Sequence, residues 1–159
     1  MSIVARVQKF IPVAIAGFTS IIFLDSLRYK FTNHPNTQEI FGRLDGWAAT
    51  LGAEGLFAQT GLFSQHVIGT AELFASALLL VGILPRFRKL QAVGALIAVG
   101  VMTGAISFHL FTPLGIDPNN DGGGLFMAAV MVWTLSLVML IIRRRELASV
   151  VRGLGQALS

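Results

Sequence analysis

The chain has 159 residues, of which 54% are hydrophobic and 13% charged, with a mean hydropathy of +0.73. Soluble domains carry roughly 25% charged residues, and disorder needs low hydrophobicity with high charge, so neither a soluble globular enzyme nor a disordered chain fits. No cysteine is present, which removes disulfides, thiol redox chemistry, iron–sulfur clusters and cysteine-ligated zinc.

The length allows one domain, 1–159. At roughly 20 residues per crossing, four membrane helices and their connections fill it. The first apolar run, Ile11 to Leu24, continues less cleanly to Phe31 and predicts a span over about 10–31. Its start after Arg6 and Lys9 resembles a secretory signal, but no small-residue cleavage site follows. Further runs predict spans over about 67–84, 90–111 and 123–142. The expectation is an all-α polytopic membrane protein, a four-transmembrane-helix bundle, because lipid offers no partner to an unpaired backbone group.

Charge predicts orientation. Nine of the twelve basic residues (Arg6, Lys9, Arg86, Arg88, Lys89, Arg143, Arg144, Arg145, Arg152) fall on one side of a four-span chain. Arg28, Lys30 and Arg43 fall on the other, with most of the acids. The positive-inside rule places both termini in the cytoplasm. The net charge of +4 is thus a topology signal, and no nucleic-acid partner is expected.

The first outer loop, 32–66, contains Ile40, Leu44, Trp47 and Leu51 on one helical face, predicting an amphipathic helix over about 37–51. It is either an interfacial helix anchored by Trp47 or a lid over a site in the bundle. The stretch from Gly52 to Gly61 reads as a bend or short re-entrant turn. The second outer loop, Thr112 to Gly124, has turn chemistry, and Asp121 can cap the last helix. Gly100 and Gly104 form a Gly-x-x-x-Gly pair, with Ala71 and Ala75 a weaker analogue; the first pair suits packing inside the bundle or a homo-oligomer.

Ionisable residues inside spans are costly, so each is a candidate for function. Four qualify: Asp25, Arg28, Glu72 and His109. At 1.5 Å per residue Asp25 and Glu72 lie about 9 Å from the outer helix ends, Arg28 about 4–5 Å and His109 about 3 Å. One reading is a register lock, in which Arg28 pairs with Glu72 or Asp25 and His109 bonds a carboxylate. The other is a polar pocket that binds a small polar or amphipathic ligand through hydrogen bonding and proton exchange, a quinone headgroup being one such ligand. His66 and Asp121 are secondary candidates. No catalytic residue is assigned. His34, His66 and His109 all fall on the outer side, but none are paired at i, i+3 or i, i+4, so no metal site is expected. A haem between His66 and His109 would meet competing water at the helix ends. Trp133 is expected to pack inside the fourth helix, and Phe108, Phe111 and Phe126 to line the outer end of the bundle.

Three segments resemble DoxX-like membrane proteins. They are the Asp25-Ser-Leu-Arg28-Tyr-Lys30-Phe31 helix end, the second span from Gly69-Thr-Ala-Glu72 to Gly82, and Phe108-His109-Leu110 with the Gly115-Ile-Asp-Pro-Asn-Asn-Asp121 loop. The family consists of small four-helix proteins of the bacterial inner membrane with cytoplasmic termini, and the resemblance implies that location here. Some members are linked to a quinone-reducing thiosulfate oxidoreductase, others to oxidative-stress complexes, and eukaryotic relatives act as chaperones or cargo receptors. The resemblance implies a small subunit or accessory partner of a quinone-linked membrane oxidoreductase, with a membrane or periplasmic protein partner and quinone as the associated cofactor. It directs attention to Glu72 and His109. The alternative is a stand-alone protein that binds or transports a quinone or small solute through the same cluster.

Overall fold

The computed structural model describes residues 3–157, with side chains from residue 10 onward. Arg6 and Lys9, which contribute to the charge asymmetry, lie outside the described side chains. The described residues form six α-helices, one short 3₁₀ turn and no strand.

Helix α1 (Ile3–Phe31) includes Pro12. A corner follows in which Asn33 takes φ 54°, and α2 (Pro35–Thr50) begins at once. Pro35 suits the first helical turn, where an N–H would have no partner. His34 caps the helix, accepting at Nδ1 from the Asn36 N–H at 3.2 Å. Residues 51–64 form turns, and α3 (Gln65–Val81) starts on the Ser64 hydroxyl, which accepts from Val67 N–H.

The expected second span, 67–84, is longer than α3. Leu84 precedes Pro85 and takes ψ 132°, since the proline ring disfavours helical backbone before it. The chain turns through Pro85–Phe87 into α4 (Arg88–Phe111). After the second outer loop come α5 (Gly124–Ile142) and, past Arg143, α6 (Arg144–Ala157). The carboxylate of Asp121 caps α5, accepting from Gly123, Gly124 and Leu125 N–H at 3.0, 3.2 and 2.8 Å.

Four helices pack in a ring, α1 on α3, α3 on α4, α4 on α5 and α5 on α1. The outer end is where α1 and α4 finish and α3 and α5 begin; the inner end is opposite. Three stretches are long and apolar enough to cross a membrane: Phe10–Phe31, Pro85–Phe111 and Gly124–Ile142. At 17 residues α3 is shorter, but it is apolar as well. Large apolar side chains face outward around the ring, among them Ile21, Leu73, Phe74, Leu96 and Ile141. A surface so extensively apolar marks contact with lipid rather than water.

The interior is layered. Phe23, Ala75, Ala98, Met102, Ala129 and Val132 form an outer cluster. Ile15, Ala16, Leu79, Ala95 and Met139 form an inner one. Between them in sequence lie the buried hydroxyls of Thr19 and Ser20 on α1, Ser76 on α3 and Ser136 on α5. Helices α3 and α4 approach closely at Gly94, where an added Cβ would meet Ala75 O and Leu79 N, both at 2.9 Å. Gly100 is different: nothing lies within 4 Å of its missing Cβ. The Gly-x-x-x-Gly pair therefore makes no tight helix contact within this chain at Gly100. At the inner end the buried Gln91 Oε1 accepts from Arg143 Nε at 2.8 Å, tying α4 to the end of α5.

Candidate functional site at the outer end

The outer loops close over the ring. On α2, Leu44 and Ala48 are buried with Phe57 and Leu114, and Ile40, Trp47 and Phe108 pack beside them. The apolar face of α2 thus packs on protein, as a roof. Leu51, expected on that face, is outside the cluster and 66% exposed, because α2 ends at Thr50.

The corner under this roof is fastened by Gln65, buried at the start of α3. Its Nε2 donates to Lys30 O at 2.7 Å and to Asn33 Oδ1 at 2.5 Å, and its Oε1 accepts from Gln38 Nε2 at 2.7 Å. One amide therefore joins the end of α1, the corner, α2 and α3.

Below the roof lies a cavity of about 760 Å³, within the usual range for small-molecule sites. Most of its wall is apolar: Ile22 and Phe23 from α1, Ile40 and Leu44 from α2, Met102 and Ala105 from α4, Ala128 and Ala129 from α5. Its polar groups are few. Ser26 and Lys30 lie one turn apart on α1 and meet Glu72 of α3. Lys30 Nζ lies 3.1 Å from both Glu72 carboxylate oxygens, and Ser26 Oγ donates to Oε2 at 3.1 Å. Lys30 also donates to Ser26. Glu72 is only 3% exposed and Lys30 15%, so the pair is shielded from water.

His109 lines the opposite wall. Its Nδ1 lies 2.6 Å from Gly115 O, and its ring meets Phe126 edge-on at 5.6 Å. A carbonyl only accepts, so Nδ1 carries the hydrogen and, in the neutral ring, Nε2 is left as an acceptor. Gly115 holds that carbonyl at φ 71°, a backbone region natural to glycine. Tyr29 also borders the cavity, as do the exposed Asp25 and Asp121.

Of the residues the sequence singles out, the cavity brings together Asp25, Glu72, His109 and Asp121. Arg28 is not on its wall. It pairs with Asp25 at 3.0 Å, both side chains being more than half exposed, and lies 4.8 Å from the Tyr29 ring centre. The partner of Glu72 is Lys30. His109 bonds a carbonyl, not a carboxylate. His66 stacks on Phe31 outside the cavity. Trp133 is half-buried and donates to Thr103 Oγ1 at 2.9 Å.

The three histidines thus go to three different tasks. Among the described residues no group of three His, Asp or Glu side chains could hold a metal ion. Sequence reasoning missed Lys30, because it lies one residue from the end of the predicted span and reads only as an outer-side charge. The usable signal was the i, i+4 spacing of Ser26 and Lys30, which puts both on one face of α1. Compared with family models, with curated proteins and with solved structures, the chain matches none of them.

Proposed function

We propose that α1, α3, α4 and α5 all cross the bilayer of a bacterial inner membrane, with both termini cytoplasmic, and that the outer cavity binds a quinone-class ligand. In this reading the chain serves as a small accessory subunit of a quinone-linked membrane oxidoreductase. The short α3 rises about 25 Å at 1.5 Å per residue and reaches the headgroup region with its capping turns. All acids except Glu146 fall on the outer loops or outer helix ends, while Arg86, Arg88, Lys89 and Arg143 to Arg145 fall at the inner end. That asymmetry supports the orientation.

The observation that carries the ligand reading is the cavity's composition: an apolar chamber with donors and an acceptor on facing walls. Tyr29 and Lys30 can donate to carbonyl oxygens, and His109 Nε2 can accept from a hydroxyl. Glu72 and His109 can exchange protons with a ligand placed between them. The apolar wall suits a ring and its isoprenoid chain. A chain without cysteine supplies no thiol redox centre, which supports an accessory role beside a redox partner. The resemblance to DoxX-like proteins points the same way.

Titration of the reconstituted protein with a short-chain benzoquinone, followed by Trp47 and Trp133 fluorescence, tests this. Saturable quenching is expected, weakened about tenfold in Glu72→Gln or His109→Ala, equivalent to roughly 1.4 kcal/mol of binding free energy. Identical titrations for these variants and for the cavity-filling Ala128→Phe would refute the site.

A further inference from the structure

Helix α6 presents Leu147, Val150, Val151 and Leu154 at i, i+3, i+4 and i+7, one apolar face. Arg145, Ser149, Arg152 and Gln156 fall at i, i+4, i+7 and i+11, the opposite face. The helix packs on α4 and α5 at the inner end, yet buries no residue fully. Leu147 and Val150 are half-buried, whereas Val151 and Leu154 are each 60% exposed. A 14-residue helix with Gly153 and Gly155 inside it is marginal in water, so its apolar face needs cover.

The position of α6 determines what supplies that cover. Only Arg143 separates it from the end of α5, a membrane-crossing stretch, so α6 starts at headgroup depth. At 1.5 Å per residue it is about 21 Å long, too short to cross. Arg86, Arg88, Lys89, Arg144 and Arg145 gather at the same end of the bundle. Among the described residues the acid there is Glu146, whose carboxylate lies 3.8 Å from Arg143.

We propose that α6 lies in the plane of the inner membrane surface and binds anionic phospholipid, with Val151 and Leu154 among the acyl chains and Arg144, Arg145 and Arg152 on headgroup phosphates. Each arginine near such a surface attracts anionic lipid, and an apolar face fixes the helix at the boundary. The inference rests on the reading that the bundle spans a membrane.

The test uses full-length protein in nanodiscs of phosphatidylcholine with or without phosphatidylglycerol. The chain has no cysteine, so Val151→Cys, Arg152→Cys and Leu73→Cys each give one site for a nitroxide label. The label at 151 is expected to be reached by oxygen and shielded from an aqueous nickel chelate, and the label at 152 the reverse. Position 73, on the lipid face of α3, reports on the membrane reading alone. A label at 151 reached by the chelate, or shielded from both agents, overturns the inference while 73 remains in lipid. Chelate access at both 151 and 73 overturns the membrane reading with it. Native mass spectrometry completes the test: phosphatidylglycerol enrichment should fall about fivefold for each arginine lost in Arg145→Gln and Arg152→Gln. Unchanged enrichment overturns the headgroup assignment.

Discussion

Lys30 and Glu72 are 42 residues apart in sequence, yet their side chains meet at 3.1 Å across the α1–α3 contact, beneath the α2 roof, with Glu72 only 3% exposed. Glu72 accepts from Ser26 as well, so both of its oxygens are engaged. The arrangement serves two ends at once. It satisfies a carboxylate inside an apolar bundle, and it sets a cation and an anion on the wall of a chamber.

Breaking the pair from one side should be costly. Lys30→Met leaves Glu72 buried without its cation and is expected to destabilise the fold by about 3–5 kcal/mol. The double variant Lys30→Met with Glu72→Met removes both charges and should recover most of that loss. Thermal unfolding in detergent, arranged as a double-mutant cycle, measures the coupling. Additive losses would show that the two groups act independently.

Asp121 shows how capping depends on pH. Desolvation raises its carboxyl pKa, but N–H donors from Leu125, Gly123 and Gly124 and the contact with Asp117 outweigh it and hold the carboxyl below its ordinary 3.8. A folded-state value below the unfolded one contributes stability above pH 3.8, and that contribution is lost as pH falls through the folded value. Asp121→Ala should cost about 1 kcal/mol near neutral pH, as for other lost caps. Hydrogen exchange of the Gly123 to Leu125 amides should speed up in the natural protein, relative to the intrinsic rate, as the pH is taken below 3.8 and through the lowered folded-state value. In Asp121→Asn that acid-specific loss of protection should be absent.

The two glycine sites should respond in opposite directions. Gly94→Ala pushes a methyl group against the backbone of α3 and should cost about 1–3 kcal/mol. Gly100→Ala meets nothing within the chain and should be neutral or stabilise by about 0.5–1 kcal/mol through helix propensity. Sedimentation of Gly100→Leu with Gly104→Leu separates the two uses of this face. Loss of a dimer would assign it to a homo-oligomer; an unchanged state would leave it to the wall of the outer cavity, which Gly100 and Gly104 also border.

The sequence showed most of the helices and much less of their pairing. Period and charge placed the outer end of α1 and both ends of α4 and α5 to within a few residues, because apolar length and a flanking Pro or Gly are local signals, whereas α1 begins seven residues before the expected span. The inner limit of α3 falls at Val81, with Gly82 as its cap pressed against Gln91 of α4, a tertiary approach that the apolar run through Ile83 and Leu84 does not reveal. Glu72 and His109 were legible as polar residues in apolar helices. Their partners were not, because Lys30 and the Gly115 carbonyl come from elements whose approach is decided by packing. Gln65 had no signal of its own: a lone Gln at a helix start reads as surface, and its burial follows from the corner it fastens. Helix α6 was legible in principle, through Leu147, Val150, Val151 and Leu154, but its arginines were read only as topology markers.

The middle of the bundle offers a separate check on packing. Thr19 Oγ1, Ser20 Oγ and Ser136 Oγ are buried without a hydrogen-bond partner. A buried hydroxyl in that condition costs free energy, so Ser136→Ala and Thr19→Val should each leave stability unchanged or raise it by up to about 1 kcal/mol. A loss of similar size in thermal unfolding would show that these hydroxyls hold a partner of their own.

The central claim is that the outer cavity holds a lipid-soluble, carbonyl-bearing ligand. The most direct measurement is mass spectrometry of the protein purified gently from its native membrane, with lipids extracted and co-purifying chains identified. The account predicts a quinone in near-stoichiometric amount together with a redox partner, and loss of the quinone from Ala128→Phe. Quinone at the level of bulk membrane lipid, equal in both proteins, would contradict it.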